Sequence, residues 1–157
     1  AARNLQIEDT ATLNLRFSSG ALGSFLISDA GASPWAFEAA CGENPDLAVS
    51  GQDYIRATGT RGALAFPSLT LWQGSDGTAT DWKHPLVRVK GAEFAAIDPL
   101  QEQMRRFAAV VDGGEDKILC SGDDGLAALE ISLAATLSGQ TGMPVRTGSV
   151  PGDYTGA

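Results

Sequence analysis

The residues of this chain that can take part in chemistry are few and scattered. The sequence has one histidine, His84, and two cysteines, Cys41 and Cys120, which are far apart. A zinc site usually takes several His or Cys ligands, and an α/β-hydrolase triad needs a G-x-S-x-G turn, which the sequence lacks. We therefore predict neither a metal site nor a nucleophilic triad, and we interpret His84 as a loop or sheet-edge residue.

Two glycine pairs, Gly59-x-x-Gly62 and Gly122-x-x-Gly125, are the nearest approach to a phosphate-binding loop. Neither matches the G-x-G-x-x-G pattern that follows a buried parallel strand, and neither is a P-loop. A turn explains the first pair, and a helix start explains the second. We predict that this chain binds no nucleotide cofactor by itself.

The stretch "SDAGASPWAFE" offers a different kind of contact. Trp35 follows Pro34 in a loop, and an indole in that place packs in a core or interface, or stacks on a flat apolar face such as a sugar ring. Asp29, Trp35 and His84 are the candidate substrate contacts, and no catalytic residue is assigned.

Composition limits the classes of function. The net charge of −8 disfavours nucleic acid as a partner, since phosphate backbones repel an acidic chain. No apolar run reaches the roughly 20 residues that span a bilayer, so no membrane is expected. Two cysteines do not make a disulfide framework, and we predict two buried thiols in a reducing cytoplasm. The N-terminus lacks a starting Met and a signal-peptide pattern, which fits a processed or shortened chain.

The first two thirds of the chain show the period of two that is typical of strands. The segments predicted to be extended are Thr10–Phe17, Leu22–Ser28, Trp35–Cys41, the hairpin "YIRATGTRGALAF", "SLTLW" and "PLVRVK". Short turns join nearly all of them, so the pairing should be mainly antiparallel, in one sheet of about six or more strands.

The period then changes to that of helices. Asp98 and Pro99 are a typical helix start, and the first helix is predicted over Pro99–Val111, before Gly113. A second helix is predicted over Ser121–Ser138. Strands followed by helices indicate one α+β domain over residues 1–157, with an open, mainly antiparallel (mixed) sheet and helices packed on one face.

Four segments, in order, resemble one known family. They are "EDTATLNLRFSSGALGSFLISDAGASPW", "YIRATGTRGALAF", "DPLQEQMRRFAAVV" and "SGDDGLAALEISLAATLSGQTGMPV". They are similar to the C-terminal domain of the glucose–fructose oxidoreductase and inositol dehydrogenase (Gfo/Idh/MocA) family.

The resemblance implies an NAD(P)-dependent dehydrogenase that acts on sugars or polyols. NAD or NADP would bind an N-terminal Rossmann domain that also holds the catalytic lysine, in an E-K-P motif absent here. The family's Asp and His pair would precede Leu5, and His84 does not match it. The present chain would cover the substrate and form a homodimer or larger assembly through its sheet face.

Two other interpretations stay open. The chain can be a stand-alone, non-catalytic binding module whose open sheet recruits a partner. It can also be a hydrolase or isomerase that uses dispersed acids, although no base with an orienting partner is identifiable.

Overall fold

The computed structural model describes residues 3–4, 7–75, 83–89, 91 and 97–156. The contacts divide the chain into two compact units. The first contains residues 1–30 and 103–157, and the second contains residues 31–102.

The first unit begins with a β-hairpin. Strands β1 (Thr10–Arg16) and β2 (Leu22–Ser28) pair antiparallel, with Leu13 opposite Phe25. Gly20 has a φ of 90°, which suits glycine in the connecting turn, as the sequence predicts. Leu13 and Leu15 are half-buried, whereas Leu22 and Leu26 on the other face are 73% and 75% exposed. Phe25 stands opposite Leu13 and is 47% exposed, so the first face is covered only in part.

Helix α2 spans Pro99–Val111, the range that the sequence predicts. Asp98 caps it, since its Oδ1 accepts hydrogen bonds of 3.0 Å from the backbone N–H groups of Leu100 and Gln101. The apolar stripe of α2 is exposed, with Met104 at 66% and Phe107 at 57%.

Helix α3 spans Gly122–Thr141 and carries a complete capping box. The backbone N–H of Asp124 donates to Ser121 Oγ over 3.1 Å, and Asp124 Oδ2 accepts from the backbone N–H of Ser121 over 2.9 Å. Gly142, in the left-handed region, ends the helix. No described helix is long and apolar enough to cross a membrane.

The capping box predicts an acid-sensitive helix start. Hydrogen bonds from the Ser121 side chain and then from its backbone lower the pKa of Asp124. The stabilisation is therefore present above the unfolded pKa of about 3.9 and is lost as pH falls through the lower, folded pKa. We expect circular dichroism at 222 nm to show helix loss below about pH 4.

Asp124→Asn should remove part of that pH dependence. Asp123→Asn is the matched control, because Asp123 lies in the same turn and makes no side-chain hydrogen bond to the described residues. Equal acid titrations for the two variants would contradict the assignment to the capping box.

The second unit starts with a helix where the sequence predicts a strand. Helix α1 covers Phe37–Cys41, so the prediction that Trp35–Cys41 is extended is wrong. Its apolar residues alternate, but Phe37, Ala40 and Cys41 also fit a helical face, and Ala40 is 6% exposed. Gly42, in the left-handed region, ends the helix.

A four-stranded antiparallel sheet follows in the same unit. Its strands are β3 (Ile55–Gly59), β4 (Gly62–Phe66), β5 (Leu71–Gln73) and β6 (Val87–Val89), in the order β3-β4-β5-β6. Each strand pairs with the next along the chain, as the predicted hairpins require.

The α+β class and the open antiparallel sheet are confirmed. The strands form two sheets, however, and not the single sheet of about six or more strands that the sequence predicts. Helix α1 and its flanking loops take the place of the strand that would have continued the pairing from β2 to β3.

Candidate functional site

The three predicted substrate contacts lie on separate segments. Asp29 follows β2 in the first unit, where its carboxylate pairs with Arg3 and its side chain is 81% exposed. Its backbone N–H donates to the carbonyl of Asp9 over 2.9 Å. The carboxylate is thus engaged in a surface ion pair.

Trp35 and His84 belong to the second unit. Trp35 is 59% exposed in the loop before α1, and its backbone N–H donates to Ser33 Oγ over 3.1 Å. Ser50 Oγ donates to the carbonyl of Pro34 over 2.6 Å, which fixes the same loop. His84 is exposed ahead of β6. A substrate-binding role for Asp29, Trp35 and His84 stays a prediction.

Neither cysteine forms a disulfide. Cys41 is half-buried, and burial, followed by the negative charge of Glu43, raises the pKa of its thiol. Cys120 is exposed, so the prediction of two buried thiols is wrong for Cys120. Among the described residues, no group of three or more His, Cys, Asp or Glu side chains is placed to hold a metal ion.

The four-stranded sheet carries a polar face that the sequence patterns do not predict. Directly paired residues of an antiparallel sheet point to the same side. Arg56 is opposite Ala65, Ala63 is opposite Trp72, and Trp72 is opposite Arg88. The register therefore places two arginines and a tryptophan on one face, with two alanines between Arg56 and Trp72.

This face forms an open depression of about 560 Å³, which we call the Arg–Trp trough. It is lined by Asp53, Arg56, Ala65, Thr70, Trp72 and Arg88. The small Ala65 side chain forms the floor, because it lies on β4 between the longer side chains of β3 and β5. The side chain of Trp72 is 40% exposed and open to a ligand.

One end of the trough is fixed by a hydrogen-bond network. Asp53 Oδ1 accepts from the backbone N–H of Ser68 over 2.8 Å, and Ser68 Oγ donates to Asp53 Oδ2 over 2.9 Å. Ser68 Oγ is also 2.8 Å from Thr70 Oγ1, and Thr70 is 6% exposed. The two hydrogen bonds from Ser68 thus hold the Asp53 carboxylate in place.

The charges in the trough favour an anion. Among the described residues, neither Arg56 nor Arg88 has a carboxylate within ion-pair distance. Two guanidinium groups and the Asp53 carboxylate give the lining a net charge of +1, whereas the whole chain carries −8. A positive patch on an acidic protein concentrates small anions there. The trough offers groups that bind and orient, and the described lining contains no histidine or cysteine for nucleophilic chemistry.

The opposite face of the same sheet is apolar. Its strand residues are Ile55, Ala57, Gly59, Gly62, Leu64, Phe66, Leu71, Gln73, Val87 and Val89. None of these residues is charged. Six of them are exposed, and the larger apolar ones among these are Ile55 at 46%, Leu64 at 40%, and Val87 and Val89 at 38% each.

An aromatic cluster covers one corner of this apolar face. The rings of Tyr54 and Phe66 meet edge to face with centroids 5.7 Å apart, and those of Phe37 and Tyr54 do so at 5.8 Å. The cluster fixes helix α1 to strand β4 within the second unit.

The chain was compared with protein-family models, with curated proteins and with solved structures, and none of the three comparisons gave a match. The resemblance to the Gfo/Idh/MocA family therefore stays a prediction from the four sequence segments.

Proposed function

We propose that this chain is the substrate-side and oligomerisation domain of a cytoplasmic NAD(P)-dependent dehydrogenase that acts on a sugar or polyol. The nicotinamide cofactor and the catalytic lysine would belong to a Rossmann domain on the same polypeptide, and the catalytic aspartate and histidine to a helix that precedes Leu5. Four resembling segments support the proposal, together with the α+β class of the chain.

The exposed apolar face of the four-stranded sheet carries the assembly part of this proposal. A sheet face that lacks charge and stays 38–46% exposed at Ile55, Leu64, Val87 and Val89 gains free energy when another apolar surface covers it. The gain is about 25 cal/mol for each Å² of apolar surface removed from water.

The occupant that we propose is a second copy of this chain. Two chains of charge −8 repel each other, and an uncharged patch is where that repulsion is weakest. A two-fold axis would bring the same patch of each copy together, so that every apolar residue finds an apolar environment.

Sedimentation equilibrium on two variants tests the dimer, and each variant carries one added charge on a different face of the sheet. Leu64→Glu puts a carboxylate on the apolar face, and we expect association to weaken at least tenfold, since burial of that charge is unfavourable. Thr58→Glu is the matched control, because it adds the same charge on the opposite face of the neighbouring strand.

We expect the unsubstituted chain and Thr58→Glu to be dimers at high micromolar concentration. A monomeric unsubstituted chain would overturn the assembly part of the proposal. Equal association of the two variants would place the dimer contact elsewhere. Circular dichroism on both variants checks that each retains the native fold.

The dehydrogenase part of the proposal has its own test. A reading frame that encodes about 120 upstream residues with G-x-G-x-x-G after a predicted strand supports it. An upstream region without that fingerprint favours the stand-alone binding module, for which the Arg–Trp trough, a polar depression that can bind a ligand, is the specific observation.

A further inference from the structure

We propose that the Arg–Trp trough binds a small anionic ligand that carries a hydroxylated ring, with a carboxylate or phosphate as its charged group. The trough lies on the sheet face opposite the proposed dimer surface, so this inference does not depend on the dehydrogenase assignment or on the dimer.

The sheet sets the size of the ligand. Arg56 and Arg88 lie on the two outer strands of four, so three strand spacings, about 14 Å in all, separate their backbones. Ala63 and Ala65 leave the space above β4 free. An arginine side chain extends over several ångströms, so the remaining gap suits one ring with one charged substituent.

The guanidinium groups recognise the charged part. Arginine presents planar pairs of N–H donors that match the oxygens of a carboxylate or phosphate, and such charge-assisted hydrogen bonds are the stronger ones. Arg56 and Arg88 are exposed and have no ion-pair partner among the residues that the structure describes. A ligand therefore has no internal ion pair to break.

Trp72 recognises the ring. It stands directly opposite Arg88 on the neighbouring strand and is 40% exposed, so a ligand that packs on the indole has a guanidinium group on the adjacent strand. An apolar ring face packs on the indole while the charged substituent remains within reach of Arg88.

The polar end of the trough recognises hydroxyl groups and sets the orientation. Asp53 is held by two hydrogen bonds from Ser68, and each carboxylate oxygen keeps a free lone pair that can accept from a ligand hydroxyl. The negative charge of Asp53 repels a ligand carboxylate or phosphate from that end. The charged group is therefore directed to Arg88 and the hydroxyls to Asp53.

Isothermal titration calorimetry with four probes tests the inference. The probes are glucuronate, glucose 6-phosphate, neutral glucose and inorganic phosphate, each titrated into the unsubstituted chain. We expect glucuronate or glucose 6-phosphate to bind at least tenfold more tightly than glucose and than inorganic phosphate. Binding of one and not the other identifies the charged group as carboxylate or as phosphate.

Three substitutions locate the site. Arg88→Gln removes a charge from the trough, and we expect at least tenfold weaker binding of the preferred probe. Arg88→Lys keeps the charge but loses the paired donors, and we expect an intermediate loss. Arg61→Gln is the matched control, since Arg61 lies in the β3–β4 turn outside the trough lining and the change in net charge is the same.

Unchanged binding with Arg61→Gln supports the trough as the site. If Arg61→Gln weakens binding of the probe as much as Arg88→Gln does, the inference is overturned, because binding would then reflect the net charge of the chain alone. The inference is also overturned if glucose binds as tightly as glucuronate and glucose 6-phosphate. It is overturned as well if neither glucuronate nor glucose 6-phosphate binds at millimolar concentration. Circular dichroism confirms that each variant is folded.

Discussion

Replacing Gly62 with alanine is expected to destabilise the second unit by about 3 kcal/mol, near the upper end of the usual cost of overpacking. An added Cβ would lie 2.3 Å from the backbone carbonyl oxygen of Trp72 on the neighbouring strand. Backbone cannot rotate away as a side chain does, so β4 and β5 must separate where Gly62 pairs with Gln73.

Urea denaturation followed by tryptophan fluorescence measures this effect, since all three tryptophans fall between residues 31 and 102. Gly139→Ala is the control: Gly139 lies within α3, and nothing stands within 4 Å of an added Cβ. We expect Gly139→Ala to be stabilised by about 0.5–1 kcal/mol when its unfolding is followed by circular dichroism. An unchanged unfolding midpoint for Gly62→Ala would contradict the close approach of the two strands.

Phe66→Ala is expected to cost about 3 kcal/mol, at the low end for truncation of a core phenylalanine, since Phe66 is only half-buried. The substitution removes the ring that packs edge to face on Tyr54, which in turn packs on Phe37 of helix α1. We therefore expect α1 to lose its attachment to the sheet together with the loss of stability.

Chemical denaturation by urea gives the change in free energy of unfolding. Phe107→Ala is the matched control, because Phe107 is 57% exposed on α2 and alanine is the better helix former. If both variants unfold at the same urea concentration, the aromatic cluster does not hold the second unit together.

The elements that the sequence predicts correctly are those with local signals. Helix α2 is predicted from residues close in sequence, namely Asp98, Pro99 and an apolar stripe of period 3.6. Its predicted bounds, Pro99–Val111, are confirmed. Helix α1 has five residues, and over so short a run alternation and helical spacing cannot be told apart. Packing of Phe37 on Tyr54 decides the outcome there, and that contact joins residues distant in sequence.

The Arg–Trp trough shows why a binding site is harder to predict than a strand. The alternation in "IRATG", "TLWQ" and "VRV" tells which residues of each strand share a side. It does not tell which side of one strand meets which side of the next, because that depends on register. Arg56, Trp72 and Arg88 come together only when all three pairings are known. Asp29, Trp35 and His84 are predicted from residue type alone, which carries no information about proximity.

Because the two faces of the four-stranded sheet differ, the chain should tolerate substitutions on one face but not an inserted or deleted residue that shifts the register of a strand. Arg56 and Ala57 are neighbours in sequence but point to opposite sides, so ligand preference can be altered at one position while the surface behind it is left intact. A single inserted or deleted residue in β5 would present Leu71 or Gln73 where Trp72 now lies. Insertions in this part of the chain should therefore be confined to the turns between strands.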